Sequence, residues 1–475
     1  MTTSPRAPFA SIWLGVAIFA ALGARIFYAV ARPFWFDEIF TLWLARRPPA
    51  GIVGGLKVDS GPPLFYLLSH PFVRFAEAGF DPLVRLLSLA AIAALFLAER
   101  NRRTSGGWRF VVLLAASPLL FFYSGEARAY ALLGALSFLL FLATCRLRGR
   151  RSVALAAIAA GLLPWTHYLG GFVAISSIAL SASKRRWRSA GVQAASILPF
   201  VLWVPVALKQ PAAALAWSEE GWKAPVLGTL AEFASWARPA PYFSRFATPA
   251  PWMGALAGLG LVVLTAVVAR KVRSVRDALL FAGLPLALAA AAGIARPVYF
   301  SGRTEMMVLP VALWAFARAS RRSRALQALT TVGVAAGAIV ILGTLVALPA
   351  TPPYAVTAGF VTSAARAGDV VVASDADYLP LRREADRGAL KGGLVGIPQD
   401  IERHPGWFEP GKVASPAAEV ARLGLALQGI PPGGRVFFAV PPDPAARNIV
   451  MPSVRDGRPT IARPPGGDSV LVLVK

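Results

Sequence analysis

The sequence predicts a polytopic α-helical membrane protein, with about eleven transmembrane helices followed by a small α/β domain. Three observations carry this expectation. Of 475 residues, 56% are hydrophobic, and the mean hydropathy is +0.57. Basic residues gather in short connectors between apolar runs, at 99–103 (ERNRR), 146–151 (RLRGRR), 184–188 (KRRWR), 270–276 (RKVRSVR) and 318–324 (RASRRSR). Alternate connectors lack such clusters, which is the positive-inside pattern. Finally, the composition becomes that of a soluble domain after Pro349 and the Pro-Pro pair at 352–353. The net charge of +25 is thereby assigned to cytoplasmic loops. No basic stripe with interleaved stacking aromatics lies outside them, so nucleic acid is not an expected partner.

Stretches apolar enough to cross a bilayer fall at 8–30, 81–98, 107–123, 130–145, 152–167, 169–183, 190–208, 251–269, 278–295, 304–318 and 326–349. The first is read as an uncleaved helix despite Arg6 and the small residues at 21–24, because further spans and an acidic motif follow it. With a cytoplasmic N-terminus, one exoplasmic face receives 31–80, 124–129, the turn near 167, 209–250, 296–303 and everything after 349. Segment 62–79 is interrupted by Pro62, Pro63, Pro71 and Arg74 and is expected to lie in the interface. Trp217, Trp222, Trp236 and Tyr242 mark 209–250 as an interfacial anchor. The single cysteine, Cys145, excludes a disulfide framework or a thiolate metal cluster within one chain.

Two domains follow: a transmembrane domain over 1–349, whose exoplasmic loop 31–80 carries the acidic motif, and a soluble exoplasmic domain over 350–475. In the latter, 367–375, 434–440 and 468–474 have the apolar, β-branched character of buried strands, while 355–367 and 416–428 read as helices. The Gly-Gly pairs at 392–393 and 433–434 read as turns, and no dinucleotide fingerprint is present.

Four motifs fall on the converging face: WFDEIFTLWLA at 35–45 with GPPLFYLL at 61–68, YSGEARAYALL at 123–133, THYLGGF at 166–172 and RPVYFSGRTEMMVLPVAL at 296–313. In order and spacing they resemble glycosyltransferase family 39, the GT-C membrane glycosyltransferases of the protein O-mannosyltransferase and aminoarabinose-transferase type. The resemblance covers about residues 10–320. Departures occur at Gly61, where the family often has His, at Gly125, where it often has Gln, and at Thr304, where Tyr is common.

The resemblance implies a GT-C fold and an inverting transfer of a sugar from a polyprenyl-phosphate donor to a lipid, glycan or protein acceptor. The site would face the exoplasm (periplasm) at the cell's inner, plasma membrane. Asp37 is the candidate general base, because the acceptor hydroxyl must lose its proton as the anomeric carbon gains oxocarbenium character. Glu38, about 100° away if a helix begins here, would support Asp37 or the acceptor. The leaving phosphate needs positive charge and hydrogen-bond donors, which Arg128, His167 and Arg303 can supply. Glu126, Tyr130 and Arg25 are candidate supporting residues, although snorkelling accounts for Arg25 nearly as well. His70, His167 and His404 are scattered along the chain, so no obligatory metal is expected; a loosely held divalent ion at the donor phosphate is the alternative. Competing functional classes are a lipid or glycan transporter or flippase, a ligase using a pyrophosphate-linked oligosaccharide, and a non-catalytic scaffold.

Overall fold

The computed structural model describes residues 7–77, 81–100, 107–210, 223–235, 243–246, 251–295, 298–405, 415–439, 460–462, 464–467 and 470–474. The chain divides into two compact units. One comprises Met1–Arg32, Gly61–Leu208 and Leu215–Pro349; the other comprises Pro33–Ser60, Lys209–Ala214 and Ala350–Lys475.

The first unit is helical. Among the described residues, five helices have the length and apolarity to cross a bilayer: Leu14–Ala31, Trp187–Lys209, Trp252–Ala269, Arg273–Ile294 and Arg324–Val346. The pair Gly107–Ala116 and Pro118–Ser124, bent by 67°, makes a sixth if taken as one span. Several of the remaining expected spans appear as shorter apolar helices, including Pro82–Ala98, Tyr130–Arg146, Leu169–Ser183 and Leu309–Ala319. Leu309–Ala319 is buried along nearly its whole length, yet at 1.5 Å per residue it rises only about 16 Å, so hydropathy alone overstates its reach. Segment 62–79 contains the helix Leu64–Glu77 with Pro71 inside it.

Phe19, Leu198, Leu202 and Ile294 are 80%, 64%, 82% and 90% exposed, and similar residues line the same helices. Apolar surface on that scale belongs against hydrocarbon, and the chain is an integral membrane protein. Small residues allow the helices to close up. A Cβ at Gly337 would lie 1.9 Å from the Ala116 carbonyl oxygen, and one at Gly258 would lie 1.8 Å from that of Leu230.

The break at Pro118 shows how local sequence and packing combine. Proline has no N–H, so the Leu114 carbonyl four residues earlier loses its helical donor. Arg25, 1% exposed, supplies the replacement: its guanidinium donates to the carbonyls of Leu114 (3.0 Å), Ala115 (3.3 Å) and Ala21 (3.0 Å). Ser117 caps the following helix by accepting from the Leu120 N–H.

In the second unit, β1 (Val370–Ser374), β2 (Gly393–Ile397), β3 (Arg435–Ala439), β4 (Thr460–Ala462) and β5 (Val470–Val474) form one sheet ordered β2-β1-β3-β5-β4. β1 runs parallel to β2 and β3, while β5 is antiparallel to β3 and β4. Helices Asp375–Asp386 and Pro416–Gln428 lie in the two parallel crossovers. Alternation along β1 sends Val371 and Ala373 to a core with Val361, Tyr378 and Phe437, and Val372 to one with Leu423, Val436 and Phe438. The three expected strands are present. β2 and β4 were not anticipated: Gly393, read as part of a turn, begins β2, and β4 is only three residues long.

Substituting Gly337 with Ala is expected to force apart the helices at Ala116 and to cost about 2 kcal/mol, read as a lowered melting temperature in detergent.

Candidate functional site

The acidic pair begins the helix Phe36–Ala45, whose first turn holds both carboxylates at the positive end of the helix dipole. Glu38 is fully buried and accepts a 3.4 Å hydrogen bond from the Trp35 backbone N–H, so it closes the helix N-terminus. Asp37 is partly exposed, and its carbonyl accepts from the Thr41 hydroxyl at 3.0 Å. Of the two, Asp37 presents the more accessible carboxylate, while Glu38 holds the turn that carries it.

This helix belongs to the unit that contains the C-terminal domain. Phe36 meets Tyr354 edge-on at 6.4 Å, and Arg46 approaches Asp386 at 3.8 Å. The Arg383 guanidinium lies 5.4 Å from the centre of the Phe34 ring. His404 packs 5.4 Å from Phe40 and 5.5 Å from Trp43, whose ring is in turn covered by Arg47 at 3.8 Å. Gln210 donates to the Leu56 carbonyl at 2.6 Å. Residues remote in sequence thus grip the acidic helix along its length.

In the helical unit, Arg128, Tyr130, His167 and Arg303 come together. Arg303 donates to the Tyr130 hydroxyl at 3.5 Å and lies 5.8 Å from that ring's centre. The Tyr130 ring sits 5.3 Å from His167 and 4.7 Å from Tyr123. Both Arg128 and Arg303 lie close enough to His167 to act on it electrostatically. The Leu169 N–H donates to His167 Nδ1 at 3.2 Å, which leaves Nε2 as the ring's donor nitrogen. Arg128 also donates to the Tyr66 hydroxyl at 3.1 Å, and Tyr123 donates to the Gly302 carbonyl at 2.8 Å. Two guanidiniums, an imidazole N–H and phenol hydroxyls in one place form a donor set for an anion.

The turn that carries Glu126 and Arg128 is pinned by residues that the motifs did not flag. Arg32 donates to the Gly125 carbonyl at 2.9 Å, and Arg85 donates to the carbonyls of Arg32, at 3.0 Å, and Ala29. Both arginines are almost fully buried. Their only sequence signal was a basic residue beside an apolar run, which snorkelling explains equally well. A Cβ at Gly125 would come within 2.6 Å of the Tyr28 ring, so a side chain at this position would have to displace that ring. Glu126 is buried in the same turn. Arg25 is committed to the carbonyls at the Pro118 break rather than to the cationic cluster. Trp217, Trp222, Trp236 and Tyr242 lie outside the described residues.

No family model matches this chain, and no curated protein matches it by sequence. Solved structures do. ArnT from Cupriavidus metallidurans bound to undecaprenyl phosphate superposes with a TM-score of 0.59 at 13% identity, covering 98% of each chain. The same protein in its apo state gives 0.50 at 14% identity, again over 98% of each chain. The chain therefore has the GT-C fold, a polytopic helical architecture with a small C-terminal sheet.

Burial between Phe40 and Trp43, and then the Arg47 charge, push His404 down to a pKa of about 4. An unfolded chain protonates this ring near pH 6.5. Below that pH the unfolded state binds a proton that the folded state refuses, so stability is fully present above pH 6.5 and is lost as the pH falls toward 4. The detergent-solubilised protein is expected to melt progressively lower over this window, and His404→Leu to flatten the trend.

Proposed function

We propose that this protein is an inverting glycosyltransferase that moves a single sugar from a polyprenyl-phosphate donor to an acceptor at the exoplasmic face of the cell's inner membrane. The observation that carries the reading is the convergence of Arg128, His167 and Arg303 with the hydroxyls of Tyr66 and Tyr130. That donor set suits a lipid-linked phosphate. The solved structure with the same fold holds undecaprenyl phosphate, which supports this class of donor.

In the proposed reaction the acceptor oxygen attacks the anomeric carbon as the bond from that carbon to the phosphate oxygen breaks. The bonding pair leaves on the phosphate, and the acceptor proton passes to the Asp37 carboxylate. A single displacement inverts the anomeric centre. Arg128 and Arg303 stabilise the charge growing on the phosphate oxygens, and His167 donates through Nε2. Glu38 acts through the N-terminus of the Phe36–Ala45 helix, with Glu126 and Tyr130 supporting the cationic residues. This scheme routes no step through a metal ion.

With a panel of polyprenyl-phosphate sugars and native membrane acceptors, wild-type protein is expected to transfer sugar, while Asp37→Asn loses on the order of a hundredfold or more in kcat. Arg303→Ala is expected to lose about 10²-fold, mainly in kcat, because its charge matters most in the transition state. Equal activity of Asp37→Asn removes that residue from the mechanism. Absence of transfer from every donor favours a pyrophosphate-linked donor or a flippase. For topology, a cysteine replacing Gly392 is expected to react with an impermeant thiol reagent on intact cells; labelling only after lysis reverses the orientation.

A further inference from the structure

Two carboxylates in the helical unit have no basic partner among the described residues, although the chain carries 49 Lys and Arg against 24 Asp and Glu. Glu305 is fully buried and Glu232 is 7% exposed. They lie close enough to act on one another electrostatically, and Oε2 of each is buried without a hydrogen-bond partner. The other Glu305 oxygen accepts from the Thr229 hydroxyl, which is itself 2.7 Å from the Tyr299 hydroxyl.

Two segments bring these groups together. Thr229 and Glu232 stand one turn apart on the helix Lys223–Phe233, and Tyr299 and Glu305 flank the turn that contains Gly302. The segments are seated tightly: a Cβ at Gly228 would come within 1.7 Å of the Ser301 hydroxyl. Gly302, at φ +79, would place a Cβ 3.8 Å from a Glu232 oxygen, so this turn packs directly on the carboxylate. Glu305 falls within the motif at 296–313 and Glu232 outside every motif, and the proposed transfer chemistry uses neither acid.

A buried carboxylate accepts hydrogen bonds and donates none, and leaving it ionised without a counter-charge is costly. One oxygen of each carboxyl, Oε2, is left without a hydrogen-bond partner and open to a ligand. A bound cation can satisfy both, since it takes oxygen ligands at about 2.0–2.6 Å from more than one side. The available donors are all oxygen: two carboxylates and the Thr229 and Tyr299 hydroxyls. Such a set selects a hard cation, and two negative charges match a divalent one.

We propose that Glu232 and Glu305, with Thr229, form a binding site for a divalent hard cation of the Mg²⁺ or Ca²⁺ class. The turn that connects Tyr299 to Glu305 also carries Arg303, whose guanidinium is directed to Tyr130. Occupancy of the site therefore holds the backbone that presents Arg303. Binding stands apart from the transferase reading; only its effect on transfer through Arg303 rests on that reading.

The test uses full-length protein in detergent, stripped with chelator, with binding followed by equilibrium dialysis against radioactive Ca²⁺ and by thermal melting. The wild type is expected to take up about one ion per chain, with a rise in melting temperature of about 4 °C or more at saturating millimolar Ca²⁺ or Mg²⁺. Glu232→Gln and Glu305→Gln, made separately, are each expected to lose that ion and that rise. Absence of bound ion and of any rise in the wild type overturns the proposal and leaves two protonated acids. Retention of the ion by both variants also overturns it, because the cation then binds elsewhere. The dialysis result on wild type stands even if a variant fails to fold. If the ion binds as proposed but transfer is unaffected by stripping, the site is real and the coupling through Arg303 is refuted.

Discussion

Backbone groups freed inside a helical membrane protein need donors from within the protein, because hydrocarbon supplies none. Three buried arginines meet this requirement around the region that carries the candidate site. Arg25 serves the carbonyls left open at Pro118, Arg85 serves those of Ala29 and Arg32 at the end of the first helix, and Arg32 serves Gly125 at the turn before Arg128. The helix break at Pro118, the exit of the first span and the turn that carries Glu126 and Arg128 are therefore linked through arginine side chains. Each guanidinium donates to backbone oxygens.

Electrostatic resources are divided unevenly between the two units. Arg128, His167 and Arg303 gather in the helical unit, where tyrosine rings and hydroxyls orient them. The acidic helix is part of the other unit, gripped by Tyr354, Arg383, Asp386 and His404. The C-terminal domain thus does more than follow the membrane domain in sequence: its side chains hold the helix on which Asp37 sits. Shortening the chain at the composition change near 350 would remove that support.

Much of the fold class was legible in the chain, because long apolar runs and asymmetrically placed basic loops are one-dimensional signals of a bilayer. The motif order also brought out Arg128, His167 and Arg303, which the structure assembles. The helix count was less legible, since a short helix buried in a bundle, such as Leu309–Ala319, has the hydropathy of a span without its length. Strands β2 and β4 escaped notice for a related reason: one opens with glycine and the other is short, so neither shows the sustained apolar pattern that marked the other three.

By itself the sequence determined the membrane-embedded helical class, the α/β character of the tail and a short roster of candidate residues, because hydropathy and motif spacing are properties of neighbours along the chain. Only the tertiary structure decided what each polar group faces. It turned Arg25 from a candidate site residue into the donor for a broken helix, made Glu38 the cap of its own helix, and placed residues 33–60 with the C-terminal domain. It also brought Glu232 and Glu305 from separate segments to within electrostatic reach of each other. Such partnerships depend on helix packing and on the desolvation it imposes, and neither quantity is written in local sequence.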